Sequence, residues 1–393
     1  MTFDKGESFV THQQSALTTR LPLILLIALV MFPQIVETIY SPALPFIAEG
    51  FAISQTQATQ TLSVYFIAFA FGVTAWGLLC DRMGRRKTTL IALTLYIIAA
   101  ILAMIAPNFS ALLGARILMA FAAAIGSIGT QTMIRDQFSG DQLRYLFSLI
   151  GIALAISPIL GLIFGVFMVT IGGYQAVFTL LTMIGAFLMI WSLIKLPETM
   201  PENHSVHPFW QTLQAMIQDL MIWKYALLIA AFNIMLFSYY QLAPFIFDNL
   251  QLDNRLYGLS GLLLGLGTFL GAFLNNRLIR HYQLSGEKLI ILAIAIALIS
   301  ALLLTILESG WCFILPMTGI MLAYSIAIPN ILSLVLKNYQ HTLGTAGAIL
   351  GFLYYCLIGI GLIFVGTMTS LGIALLIFAG VALMIQCLPS KSS

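Results

Sequence analysis

The chain has 393 residues, 60% of them hydrophobic and only 8% charged, with a formal net charge of +3. Its mean hydropathy is +1.01. Soluble domains carry roughly 25% charged residues, so this chain cannot cover a water-facing surface and reads as an all-α polytopic membrane protein.

Residues 1–20 are mixed polar and read as a cytoplasmic tail. The apolar run that starts at Leu21 is too long for the core of a cleavable leader and reads as a retained first span. A helical crossing needs about 20 apolar residues. Twelve runs satisfy this: 21–46, 59–79, 88–106, 111–132, 145–170, 174–196, 223–249, 256–275, 288–308, 311–334, 343–366 and 368–388. None alternates with the two-residue period of a barrel strand. The longest connection, 197–222, is rich in proline and polar residues, and its second half reads as an amphipathic surface helix. It divides the chain into six-helix units over 21–196 and 223–388, with a short tail over 389–393.

Lysine and arginine placement sets the orientation. With the N-terminus in the cytoplasm, fifteen of the seventeen basic residues fall on the inside, Arg255 alone falls outside, and Arg116 lies within a span. Both termini are therefore expected in the cytoplasm. The net positive charge reflects topology and gives no reason to expect a nucleic-acid partner. The four cysteines lack CxxC spacing, and all five histidines fall in loops or tails. No zinc-protease, serine-hydrolase or P-loop motif is present, so no enzyme activity, metal or cofactor is expected.

In span 1, Glu37 stands in FPQIVETIYSPALPFIA, residues 32–48, well inside the apolar run. It is the only one of fourteen acids in that position, roughly 14 Å below the outer end of its helix at 1.5 Å per residue. Arg116 in span 4 is the only deep cation, roughly 10 Å below the outer end of its own helix. A buried carboxyl group favours its neutral form, and a nearby cation favours the ionised form. That balance suits a group that loads and releases a proton. The pair reads either as a proton switch, with Arg116 tuning Glu37, or as a fixed structural pair; Arg116 also has the option of snorkelling outward.

After span 2 comes Gly77-Leu-Leu-Cys-Asp81-Arg82-Met-Gly84-Arg85-Arg86-Lys87. Gly77 is expected to permit close helix approach, and Gly84 to occupy a tight turn with positive φ. After span 8, Asn276-Arg277 and Arg280 repeat Asp81-Arg82 and Arg85 at an offset of 195, which suggests two pseudo-symmetric six-helix bundles. Span 5 carries Gly151, Ser157, Pro158, Gly161 and Gly165, read as a kinked helix with a thin packing face. Polar or aromatic candidates for a central cavity are Tyr40, Tyr65, Gln131, Asn233, Tyr239, Tyr240, Gln241, Tyr324, Asn330, Tyr354 and Tyr355. Pro244 is expected to break span 7 beside Gln241. Gly344, Gly347 and Gly351 form a further packing face in span 11.

The loop at 77–87 resembles the GxLaDrxGrrk signature of the major facilitator superfamily. The span 5 motif resembles the GxxxGPxxGG signature of proton-coupled antiporters in it, with Ser157 and Leu162 replacing glycines. Arg116 matches the family's RxxqG motif, although Met119 and Ala120 replace its last two positions. YSPALP resembles the first helix of the bicyclomycin/chloramphenicol-resistance branch, whose acid commonly falls where this chain has Thr38. Glu37 is then either a displaced equivalent or a residue on another helix face.

The resemblance implies the major facilitator fold in a bacterial inner membrane. It also implies a monomeric drug:proton antiporter that exports small amphipathic compounds by rocking two bundles. Its partners would be the substrate, protons and the bilayer. Span 5 would seal the bundles against leak, and Asp81 would cap span 11. Dedicated export of an endogenous metabolite such as a siderophore is the alternative transport reading; a non-transporting sensor or membrane enzyme is the alternative outside transport.

Overall fold

A computed structural model describes residues 22–201, 209–337, 339 and 343–388. The expected tails at 1–20 and 389–393, and His12, His204, His207 and His341, lie outside the described residues. The first crossing starts as α1 (Leu23–Tyr40), tightens through a 3-10 turn (Ser41–Ala43) and finishes as α2 (Leu44–Gly50). Pro42 and Pro45 sit at the starts of the last two pieces. Their missing amides cost nothing there, so the prolines change the helix type without ending the span.

Next come α3 (Gln55–Met83), α4 (Arg85–Met104) and α5 (Phe109–Gln137). Ser54 and Gln57 form a capping box on α3, which satisfies two otherwise unpaired amides. The 56-residue α6 (Gly140–Lys195) is two crossings, joined where Gly172 and Gly173 leave helical geometry. The short α7 (Phe209–Gln218) buries Met216 and Thr212 and exposes Trp210 and Gln214.

The second half comprises α8 (Leu220–Asn249), α9 (Asn254–Tyr282), α10 (Gly286–Leu307), α11 (Ile314–Val335), α12 (Leu343–Val365) and α13 (Leu371–Cys387). A 3-10 turn (Trp311–Phe313) leads into α11. Ten of the described helices are long and apolar enough to cross a membrane. One of them is the double α6, and the shorter apolar α13 completes twelve crossings. Two apolar cores follow this division, one drawn almost wholly from residues 25–196 and the other from 216–385. The bundles meet where α3 packs on α12 and the first half of α6 packs on α9.

Four sequence expectations change on contact with the fold. Pro244 lies inside an uninterrupted α8, and α6 leaves helical dihedrals only at the glycine pair, far from Pro158. Gly77 is not a close-approach point, because a Cβ there would meet only Ile128, at an ordinary 3.6 Å. Gly72 has that role: a Cβ there would press on Ala124 Cβ at 2.8 Å and run into the Phe121 carbonyl. The repeat also slips by one helical turn. Asn276, Arg277 and Arg280 lie within α9, and the residue that turns the chain, with φ of 50°, is Gln283. The matching turn residue in the first bundle is Gly84, 199 positions earlier, so the similar residues at offset 195 are not structural equivalents.

Candidate functional site

A cavity of about 280 Å³ lies between the bundles. From the first bundle it is lined by Gln34 and Glu37 of α1, Tyr65, Phe66 and Phe69 of α3, and Ser127 and Gln131 of α5. The second bundle supplies Asn233 and Phe237 of α8, Tyr324 of α11, and Tyr354 and Tyr355 of α12. Glu37 is the only acidic or basic side chain among these lining residues. Tyr324 donates to Asn233 Oδ1 at 3.3 Å, and Asn233 Nδ2 donates to the Ile229 carbonyl at 2.8 Å.

The helix face of Glu37 is set by its neighbour. Thr38 donates to the Gln34 carbonyl at 2.8 Å and lies against α6 exactly where Gly161 has no side chain. One residue step turns a helix by about 100°, so Glu37 points away from α6 and into the cavity. The Glu37 side chain is 2% exposed, and its Oε1 has no hydrogen-bond partner.

Arg116 is fully buried in α5, and its guanidinium does not pair with Glu37. Its Cζ lies 3.7 Å from the Tyr40 ring centroid and 4.8 Å from that of Tyr65. Nε, Nη1 and Nη2 all lack hydrogen-bond partners, as does the nearby Tyr96 hydroxyl. Cation–π attraction is worth about 2 kcal/mol or more when desolvated, and here it replaces the carboxylate contact the sequence suggested.

The cavity is closed at the end where α1 meets α2. Ser41 donates to the Tyr240 carbonyl, and its Oγ lies 2.6 Å from the Tyr257 hydroxyl. Gln241 Nε2 reaches the Thr59 carbonyl at 3.1 Å, Ser63 Oγ at 3.3 Å and the Leu362 carbonyl at 3.1 Å. The α3–α12 seam is tight here, since a Cβ on Gly359 would meet the Ser63 carbonyl at 3.0 Å. Toward the other end the seam opens. Gly351 would meet only Val73, at 3.5 Å, and Gly347 and Gly344 would meet nothing within 4 Å.

That open end carries the 77–87 turn. Gly84 has φ of 90°, a conformation costly for residues with a Cβ. The buried Arg85 donates to Asp136 at 2.8 Å and to the Cys80 carbonyl at 3.0 Å, and pairs with Asp81 at 3.4 Å. Glu198 accepts from the backbone amides of Arg85 at 2.8 Å and Arg86 at 3.2 Å. A carboxylate at the start of a helix offsets its unpaired amides and its dipole. Arg86 also donates to the Leu193 carbonyl at 2.9 Å, while Arg82 is exposed. The residues just before α12, where Asp81 was expected to act as a cap, lie outside the described residues.

This geometry has close parallels among known proteins. A model of the Major Facilitator Superfamily matches residues 25–362. The chain belongs to the major facilitator superfamily. An uncharacterised transporter of Rickettsia bellii is 32% identical over 354 residues, covering 86% of this chain and 88% of that one. The chloramphenicol resistance protein of Pseudomonas aeruginosa is 26% identical, covering 84% and 78%. The solved structure of the POT family transporter PepTSo superposes with a TM-score of 0.73 at 12% identity, covering 93% and 96%. That likeness supports the fold alone.

In this facilitator several expected site residues sit elsewhere. Tyr65, Gln131, Asn233, Tyr324, Tyr354 and Tyr355 line the cavity. Tyr40 stands behind it, under Arg116. Tyr239 donates to Ser260 at 2.6 Å inside the second bundle, and Asn330 donates to Asn275 at 2.8 Å. Tyr240 and Gln241 belong to the closed end. They were grouped with the cavity because they follow Asn233 within one helix, but one or two further turns of α8 carry them into the seal.

Span 5 lies at the bundle interface against α9, but its glycines do not face that interface. Gly161 and Gly165 pack on Thr38 and Ile39 within their own bundle, and Gly151 meets nothing within 4 Å. Ser157 donates to the Ala153 carbonyl at 2.9 Å, and Pro158 is buried beside it. The thin face between bundles is on α9, where Gly258, Gly261 and Gly265 receive Val166, Leu162 and Ile159 of α6. The spacing in YGLSGLLLGLG, residues 257–267, carried that signal. Ser41, Tyr257 and Gln34 were missed because hydroxyls and amides near a helix end look ordinary in sequence.

Proposed function

We propose that this facilitator is a proton-coupled antiporter that exports small amphipathic compounds from the bacterial cytoplasm. The supporting observation is the cavity: aromatic walls, scattered amides and hydroxyls, and Glu37 as its only acidic or basic lining residue. Transport by two rocking bundles needs a central site closed at one end at a time. The cytoplasm lies on the side of the 77–87 turn, as the distribution of basic residues favours. A substrate enters there, stacks on Tyr65, Phe69 and Tyr355, and bonds through Gln34, Gln131 or Asn233. Arg116 is withdrawn behind Tyr40 and Tyr65, so the site favours neutral or cationic compounds over anions. Glu37 releases its proton as substrate binds and takes one up when the site opens to the outside.

Purified protein in vesicles tests this reading. Flat aromatic amines are expected to drive proton movement in the opposite direction, and Glu37→Gln to abolish it. Substrate movement without any proton movement in the native chain would reduce the reading to a facilitated carrier.

A further inference from the structure

We propose that Tyr40 and Tyr65 are positioning residues that clamp Arg116 off Glu37 while the cavity faces the open end, so that the substrate and not Arg116 decides when the carboxyl group gives up its proton. The proposal rests on the reading of Glu37 as the proton-carrying group. Three observations carry it.

The guanidinium is held by rings and not by an acid. It lies 3.7 Å from the Tyr40 centroid and 4.8 Å from that of Tyr65, and none of its three nitrogens has a hydrogen-bond partner. Glu37 and Arg116 form no ion pair with each other, so their nearest N···O distance exceeds 4.0 Å. A buried cation with three unpartnered nitrogens gains strongly from any carboxylate that comes within reach. The two rings therefore hold the guanidinium against that gain.

The rings are themselves fixed. Tyr40 donates to Thr61 at 2.9 Å, and Tyr65 donates to the Pro33 carbonyl at 3.2 Å. Each bond joins α1 to α3, so the clamp depends on how these two helices sit against each other.

Both clamp residues adjoin the closed end. Ser41, next to Tyr40, bonds across the bundle interface to Tyr240 and Tyr257. Ser63, two residues before Tyr65, receives Gln241. The seal therefore fixes the chain beside each ring while the cavity is closed at this end. The groups within electrostatic reach of the Arg116–Glu37 pair are Tyr40 on α1, Tyr65 on α3, Tyr96 on α4, Tyr240 on α8 and Tyr355 on α12. All are phenols, so among the described residues Arg116 is the one cation within electrostatic reach of Glu37.

The test is the pH dependence of carbodiimide labelling of Glu37, read by mass spectrometry on the full chain in lipid nanodiscs. Tyr65→Phe and Tyr40→Phe keep a ring; Tyr65→Leu and Tyr40→Leu remove it. Tyr65→Met, an unbranched and adaptable side chain without a ring, replaces the leucine variant if that fails to fold. An opposite charge brought within about 4–6 Å favours ionisation by one to three pH units. The Leu and Met variants are therefore expected to lower the half-labelling pH by about that much, and the Phe variants, which keep the ring but lose its hydroxyl bond, to lower it less. In an Arg116→Gln background the ring and ringless variants should label alike. Equal midpoints for Phe and Leu in the presence of Arg116, or a Leu shift that persists without it, overturns the clamp. Labelling of the native chain that does not vary with pH overturns the proton-carrying role of Glu37 itself, and the clamp with it.

Discussion

Ser41 Oγ lies 2.6 Å from the Tyr257 hydroxyl, joining the 3-10 turn of the first crossing to α9 of the other bundle. The Ser41 hydroxyl also donates to the Tyr240 carbonyl, so one small side chain ties three helices at the closed end. A typical hydrogen bond contributes about 0.5–1.5 kcal/mol. Seals of that size can be broken and remade within a transport cycle.

Weakening this seal should shift the bundles toward the opposite opening. Ser41→Ala combined with Gln241→Ala removes side chains that bond across the interface. Roughly 1 kcal/mol lost per site changes a two-state population about five-fold. Spin labels at the exposed positions 49 and 248 should then show a larger fraction of long distances than in the native chain.

Gly161 should tolerate no side chain, because a Cβ there collides with Thr38. Overpacking of this kind costs about 1–3 kcal/mol. Gly161→Val is expected to lower the thermal unfolding midpoint in detergent, and Gly161→Val with Thr38→Gly to recover part of the loss. Gly151→Val, where a Cβ meets nothing within 4 Å, should leave the midpoint nearly unchanged.

At the 77–87 turn, Arg85 is 1% exposed and bonds Asp136 at 2.8 Å. Removing one partner of a buried pair typically costs about 3–5 kcal/mol, whereas neutralising both costs less. Arg85→Gln is expected to destabilise the fold strongly, and Arg85→Gln with Asp136→Asn to destabilise it less. Glu198→Gln keeps an acceptor for the Arg85 and Arg86 amides and loses only the charge. Its expected cost is about 0.3–1 kcal/mol at the start of the helix, measured in the same unfolding assay.

The twelve crossings were legible because each needs a long apolar run, a requirement set by the bilayer and not by neighbouring helices. The signature turn was legible for a similar reason: a positive φ at Gly84 and a cluster of charges are local demands. The face of Glu37 was not. A single sequence gives the angle between Glu37 and Thr38, but not which neighbour each one meets. Gly161, 123 positions after Thr38, decides that. The role of the span 5 glycines and the partner of Arg116 were obscured in the same way, because small residues and buried charges disclose a need for a partner without naming it. Glu37 and Arg116 were read as close in depth. They do lie in one bundle, yet the rings of Tyr40 and Tyr65 hold the cation.

The most direct test of the central claim is proton movement in vesicles containing the native chain or Glu37→Gln, followed with a pH-sensitive dye as an aromatic amine is added. Glu37 is expected to carry the exchanged proton, so the native chain should show substrate-dependent proton flux and Glu37→Gln should show none, even where substrate still binds. Undiminished proton-coupled transport by Glu37→Gln would contradict it.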